Sequence, residues 1–142
     1  KMSPETQSMT GRCLCGSVTF TATVKGRDHG VCHCSQCRKW SGGPGHAVHV
    51  EALEFENDDS VTAYDSSEWA QRGFCNKCGT HLFYRFKENN SFVVWVGAFD
   101  DNDSFTLAGE IYIDNKPDGY SFAGDHPRLT EQEFLKSMGI DA

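Results

Sequence analysis

The stretch Cys32-His33-Cys34-Ser35-Gln36-Cys37 holds three thiols within six residues, a spacing that suits a metal ion before anything else. The other four cysteines fall in pairs on either side, as Cys13-Leu14-Cys15 and Cys75-Asn76-Lys77-Cys78. The seven thiols therefore divide into a group of four and a group of three. A structural zinc closes its tetrahedron with four protein ligands, whereas a catalytic zinc keeps one position open. On that arithmetic the outer pairs make a scaffold site and the triplet a working one. Spacing also permits a rival partition, in which Cys34/Cys37 and Cys75/Cys78 form a zinc ribbon with a long insert and Cys13, Cys15 and Cys32 are left over. Spacing alone leaves both partitions open.

An odd number of cysteines fits a complete disulfide framework poorly, and Cys-x-Cys and Cys-x-x-Cys spacings favour metal. The polar segment at residues 1–10 lacks the apolar centre of a secretory signal, so a reducing, cytoplasmic compartment is expected. Lys1 ahead of Met2 reads as a cloning remnant, and residues 1–10 as a disordered N-terminus. The remaining 11–142 suit one compact domain. No apolar run approaches the length that spans a bilayer. The formal net charge is −7, and it falls to about −10 once seven thiolates carry two zinc ions. Such a surface repels polyphosphates, and with Arg38-Lys39 as the sole basic cluster no nucleic-acid partner is expected.

Residues 17–24 alternate apolar and hydroxyl side chains at period two and read as a half-buried strand. The same strand parity would place Cys13 and Cys15 on one face with Leu14 toward the core. Residues 25–30 read as a turn. Parity turns His33 away from Cys32 and Cys34, so it is expected to pack or hydrogen-bond beside the site rather than ligate. Arg38 to Gly45 reads as a glycine-rich loop in which Arg38 or Lys39 could bind a substrate carboxylate. Strands are expected at 46–50, 61–64, 81–86, 91–97 and 109–113, with a solvated acidic turn at 54–59. Phe74-Cys75-Asn76-Lys77-Cys78-Gly79 has the form of a zinc knuckle, its glycine able to take positive φ. Thr130-Glu131-Gln132-Glu133 carries a capping-box pattern that opens a short C-terminal helix ending at Gly139. The fold class is therefore mainly β.

Three segments, Gly11-Arg12-Cys13-Leu14-Cys15-Gly16, Cys32-His33-Cys34-Ser35-Gln36-Cys37-Arg38-Lys39 and Phe74-Cys75-Asn76-Lys77-Cys78-Gly79-Thr80, resemble in order and spacing the glutathione-dependent formaldehyde-activating enzyme family. That family (GFA) also includes the centromere protein V type. The resemblance spans roughly residues 11–125. It implies a single-domain β-tent built around two zinc ions. It also implies a structural zinc on Cys13, Cys15, Cys75 and Cys78 and a catalytic zinc on Cys32, Cys34 and Cys37. Glu110 stands where members of that family often carry histidine, and they often carry tryptophan near the position of Gly119.

The activity so implied is that of a carbon–sulfur lyase resembling S-(hydroxymethyl)glutathione synthase, with a glutathione-like thiol and a formaldehyde-like aldehyde as partners. The alternative is a zinc-stabilised binding module without turnover, in which His46, His49 or His81 closes the second site. A third reading is a redox or zinc-sensing switch through Cys34 and Cys37.

Overall fold

The computed structural model describes residues 5–140. The chain is mainly β, with 45% of residues in strands. The strands in chain order are β1 (Thr6–Arg12), β2 (Thr19–Lys25), β3 (Asp28–Cys32), β4 (Gly45–Phe55), β5 (Val61–Asp65), β6 (Ala70–Cys75), β7 (His81–Phe86), β8 (Ser91–Trp95), β9 (Thr106–Ile111) and β10 (Arg128–Leu129). Two short helices, α1 (Ser35–Ser41) and α2 (Glu131–Ser137), complete the regular structure with three single 3₁₀ turns. The chain forms two compact units, interleaved in sequence, and β4 passes from one to the other.

The first unit takes residues up to Arg27 and Val48–Phe105. In it β2 pairs antiparallel with β1 and with β4, while β5, β6, β7 and β8 form an antiparallel meander. The alternation legible in β2 is realised in burial. Phe20, Ala22 and Val24 are each at most 1% exposed, and the intervening threonines are half-buried. Phe20 meets the rings of Phe55 and Phe99 edge-on, with centroids 6.1 and 5.6 Å away. Val48, Val50, Leu82, Phe83 and Val94 join the same core. Fully burying a side chain of this size contributes about 1.5–3 kcal/mol.

The second unit takes Asp28–Ala47 and the chain from Thr106 onward. Here β3 lies between the start of β4, antiparallel, and β9, parallel, and β10 runs parallel to β9. The capping box works as the pattern implies. Thr130 Oγ1 accepts from Glu133 N at 3.1 Å and Glu133 Oε1 accepts from Thr130 N at 2.8 Å.

Several expectations need correction. Residues 6–10, expected as part of a loose terminus, lie in β1, because all seven of its residues pair with β2. The expectation for residues 1–4 lies outside the described residues. Cys13 and Cys15 sit on a turn after β1 rather than on a strand, so strand parity does not apply and Leu14 is 89% exposed instead of core-facing. Of the turn expected at 25–30, Lys25 ends β2 and Asp28, His29 and Gly30 belong to β3, which leaves Gly26 and Arg27 as the turn. The expected loop at 38–45 is helical to Ser41, and only Gly42, Gly43 and Pro44 connect it to β4. Finally, β4 runs on through Phe55, so the acidic turn begins only at Glu56.

Candidate metal centres

In the first unit, the thiols of Cys13, Cys15, Cys75 and Cys78 lie within 4.8 Å of one another and could hold a metal ion. Two turns, each ending in a glycine, bring them together. After Cys13 and Cys15 the chain reverses through Gly16, whose N–H donates to Cys13 O at 3.1 Å. After Cys75 and Cys78 it reverses through Gly79, whose N–H donates to Cys75 O at 2.8 Å. Both glycines have φ of +82°, a conformation costly for other residues. Thr80 joins the two turns, its hydroxyl accepting from Leu14 N at 2.9 Å and its carbonyl from Cys75 N at 2.9 Å.

Polar groups surround these sulfurs. The N–H of Val18 donates to Cys13 Sγ at 3.2 Å and that of Lys77 to Cys75 Sγ at 3.4 Å. Ser17 and Thr80 hydroxyls lie 3.2 Å from Cys15 and Cys78 Sγ. The hydrogen bond with the Thr80 side chain is the main cause lowering the Cys78 pKa, to about 5, and Ser17 lowers that of Cys15. Burial raises that of Cys13. Four sulfurs converging at this distance, with donors to their anionic form, fit a thiolate-bound metal.

In the second unit, Cys32, Cys34 and Cys37 form a cluster with all sulfurs within 4.8 Å. Three local structures supply them in turn. Cys32 ends β3, Cys34 is the N-cap of α1, and Cys37 lies in the first turn of that helix, 6% exposed. Cys34 Sγ accepts from Cys37 N at 3.4 Å, so a thiol takes the capping role usual for a hydroxyl or carboxylate. Hydrogen bonds from the Cys32 and Cys37 thiols drive the Cys34 pKa down to about 2, and the same sharing drives that of Cys32 up. Three thiols that share protons at this distance could hold a metal ion. The clusters thus divide four and three, and the ribbon partition of Cys34/Cys37 with Cys75/Cys78 is not the one formed.

Among the described residues no histidine or carboxylate joins the triplet. The ring of His46 instead faces His29 at 5.7 Å and Phe122 at 5.4 Å. His49 is exposed and lies beside Glu51, and His81 opens β7 in the first unit. Arg38 is half-buried and donates through Nε to His33 O at 3.0 Å, while Lys39 is exposed.

His33, expected beside the site rather than in it, is completely buried. Its Nε2 lies 2.6 Å from Glu110 Oε1 and its Nδ1 lies 3.0 Å from the Tyr120 hydroxyl. Glu110 Oε2 in turn accepts from His126 Nε2 at 2.6 Å and Arg128 Nε at 2.9 Å. Burial pushes the Glu110 carboxyl upward, but the hydrogen bonds of His126 and His33 and the nearby positive charge outweigh it. Its pKa ends below the usual carboxylate value. Sequence reasoning did not connect Glu110, Tyr120, His126 and Arg128 with the triplet, because the nearest of them to His33 in sequence lies 77 residues away.

Comparisons with known proteins follow the cysteine pattern. A fission-yeast protein described as an uncharacterized lyase (Schizosaccharomyces pombe) is 31% identical over 130 residues, covering 90% of this chain and 95% of the relative. Proteins provisionally named glutathione-dependent formaldehyde-activating enzymes in Podospora anserina and Aspergillus oryzae are each 34% identical over just over half of this chain. The chain matches under half of their length, 41% and 45%. A crystal structure of a Rhodobacter sphaeroides protein superposes with a TM-score of 0.54 at 20% identity, covering 84% of this chain and 99% of that one, a likeness of fold. Residues 8–115 match the sequence pattern of one family, and with it the cysteine motifs, their spacing and the mainly β fold place this chain in the glutathione-dependent formaldehyde-activating enzyme family.

Proposed function

We propose that this chain is a zinc-dependent carbon–sulfur lyase that reversibly adds a glutathione-like thiol to a formaldehyde-like aldehyde at Cys32, Cys34 and Cys37. The observation that carries the reading is the donor set of the triplet, three converging thiols with no fourth protein ligand among the described residues. Membership of the family supports the same reading. Cys13, Cys15, Cys75 and Cys78 would hold a second zinc as a closed, structural site.

The chemistry that a zinc ion supplies when held by three thiolates is a fourth position at which a substrate thiol loses its proton near neutral pH. In the addition direction the sulfur–carbon bond forms, the carbonyl π bond opens, and the proton lost by the thiol ends on the new hydroxyl oxygen. Elimination reverses each change. The protein's part is to hold the three thiols together before substrate arrives, which the strand end, the helix cap and the first helical turn each do for one cysteine. Arg38, fixed through Nε on the His33 carbonyl, and the exposed Lys39 are the candidate anchors for a carboxylate of the thiol substrate.

The test is exchange spectroscopy on glutathione with formaldehyde, comparing adduct exchange with and without zinc-loaded protein. An acceleration over the unaided reaction is expected, and it should vanish in Cys37→Ser while the fold persists. Unaltered exchange at high protein concentration would remove this substrate pair.

A further inference from the structure

We infer that Glu110 is a positioning residue for the three-cysteine site: acting through His33, it holds Cys32 and Cys34 in ligand geometry, and metal retention by the triplet depends on it. This inference concerns how the site keeps its metal, and it stands whether or not a thiol and an aldehyde are the substrates.

His33 is the residue between two of the three thiols, and each of its polar atoms is tied down. Its N–H donates to Ile111 O at 3.1 Å, and its carbonyl accepts from Arg38 Nε at 3.0 Å. The ring spans Glu110 on one side and the Tyr120 hydroxyl on the other, and it stacks on the Tyr120 ring with centroids 5.5 Å apart. Rotating the backbone at Cys32 or Cys34 would have to break these bonds, so the ring acts as a peg for the segment that carries both sulfurs.

The peg needs a socket, and Glu110 provides it. Its carboxylate is 1% exposed and takes bonds from His33, His126 and Arg128, while its own N–H donates to Pro127 O at 3.0 Å. Arg128 extends the brace, donating through Nη2 to Phe122 O and Gly124 O, both at 2.9 Å. Burying a carboxylate with two histidines is expensive compared with an apolar side chain of similar volume. Packing behind the triplet could be met without that expense, whereas a bond with fixed length and direction to His33 could not. Carboxylates hydrogen-bonded to a metal ligand itself typically account for about 10–100-fold in metal affinity, and Glu110, acting through the residue between two ligands, is expected at the low end of that range.

The other cluster serves as an internal reference. Zinc-loaded protein is titrated against a chromophoric chelator, and cobalt-loaded protein is followed by its visible ligand-field absorption, in wild type, Glu110→Gln and Tyr120→Phe. Cys37→Ser identifies the metal equivalent that belongs to the triplet. Glu110→Gln should weaken that equivalent about 10-fold or more and shift its cobalt bands, while the four-cysteine equivalent keeps both affinity and spectrum. Tyr120→Phe should weaken the same equivalent by a smaller factor.

Wild-type affinity at both equivalents in Glu110→Gln would overturn the inference, and so would equal weakening of the two, which would mark a general loss of fold. Should Glu110→Gln fail to fold, Tyr120→Phe decides, with unchanged triplet affinity overturning the inference. Because no substrate enters the measurement, a wild type that binds metal at the triplet without accelerating thiol–aldehyde exchange would sink the proposed activity and leave the positioning role standing.

Discussion

Cys13, Cys15, Cys75 and Cys78 come from two turns about 60 residues apart in sequence, whereas Cys32, Cys34 and Cys37 share one short segment. Their supports run the opposite way. The four-cysteine cluster is braced by its own turns, with N–H donors from Val18 and Lys77 and hydroxyl partners in Ser17 and Thr80, each within five residues of the sulfur it meets. The three-cysteine cluster is local in its ligands and remote in its support, resting on Glu110, Tyr120, His126 and Arg128 through one buried histidine. On the proposed division, a structural site can be assembled from two local turns, whereas a site with three sulfurs has fewer ligands to define its geometry and leaves more of that work to its surroundings.

The comparison breaks most severely at Cys75→Ser. Metal binding contributes on the order of 10 kcal/mol to folding in small zinc domains, and Cys75 is fully buried in the first unit's core. The variant should lose its cooperative thermal transition by circular dichroism and elute early on gel filtration. Cys37→Ser should keep both signatures while losing one metal equivalent. If the two variants behave alike, the division into scaffold and working site fails.

Gly11→Ala tests the brace leading into the same cluster. A Cβ at Gly11 would lie 2.2 Å from the Phe20 ring and 2.5 Å from the Ala98 carbonyl, and the backbone atom has little room to give. A loss of about 1–3 kcal/mol is expected from overpacking of this kind, measured by urea denaturation, with weaker metal retention at the four-cysteine equivalent. Triplet retention should not follow it.

In the second unit, Thr130→Ala removes the α2 cap and should cost about 1 kcal/mol in the same assay. Since α2 buries no residue and supplies nothing to the Glu110 network, the triplet should retain its metal. A large loss of metal in Thr130→Ala would show that the site depends on general stability rather than on particular bonds.

The smallest expected effect is a graded pH dependence. Burial lowers His29 and His46 below the ordinary histidine value of 6.5 in the second unit, and it lowers His81 in the first. A base whose folded pKa is depressed binds fewer protons folded than unfolded. The stability it confers is therefore present above its unfolded pKa and lost as pH falls through the folded value. Melting temperature should decline from about pH 7 to pH 5, and His46→Gln should flatten part of that decline without changing the neutral plateau. A wild-type acid limb retained in full would show that His46 is not one of its causes.

Much was legible locally. The alternation of β2 gave its buried face, the Thr130 box gave the start of α2, and Gly79 after Cys78 gave the knuckle, because each depends on residues within a few positions of one another. Two elements escaped for different reasons. The β1 residues show no apolar alternation, and they form a strand because β2 offers a full row of partners. The α1 helix has seven residues and an unusual cysteine cap, so propensity pointed to a loop, although Gly42 at φ of 76° is a stop signal that could have been read.

The amino-acid sequence by itself determined which residues could hold metal: seven thiols at spacings that metal binding explains well, on a mainly β chain. The four-and-three grouping was implied by the family resemblance where spacing left it open, and only the tertiary structure decided what holds the triplet still. Ligand spacing constrains neighbours along the chain, whereas the convergence of Cys13 with Cys75, and of His33 with Glu110, is a property of strand pairing and turn placement. The partnership of a buried carboxylate with a buried histidine leaves no periodic trace in sequence, because the hydrogen bonds that offset the cost of desolvation depend on one fixed distance across the fold rather than on any local preference.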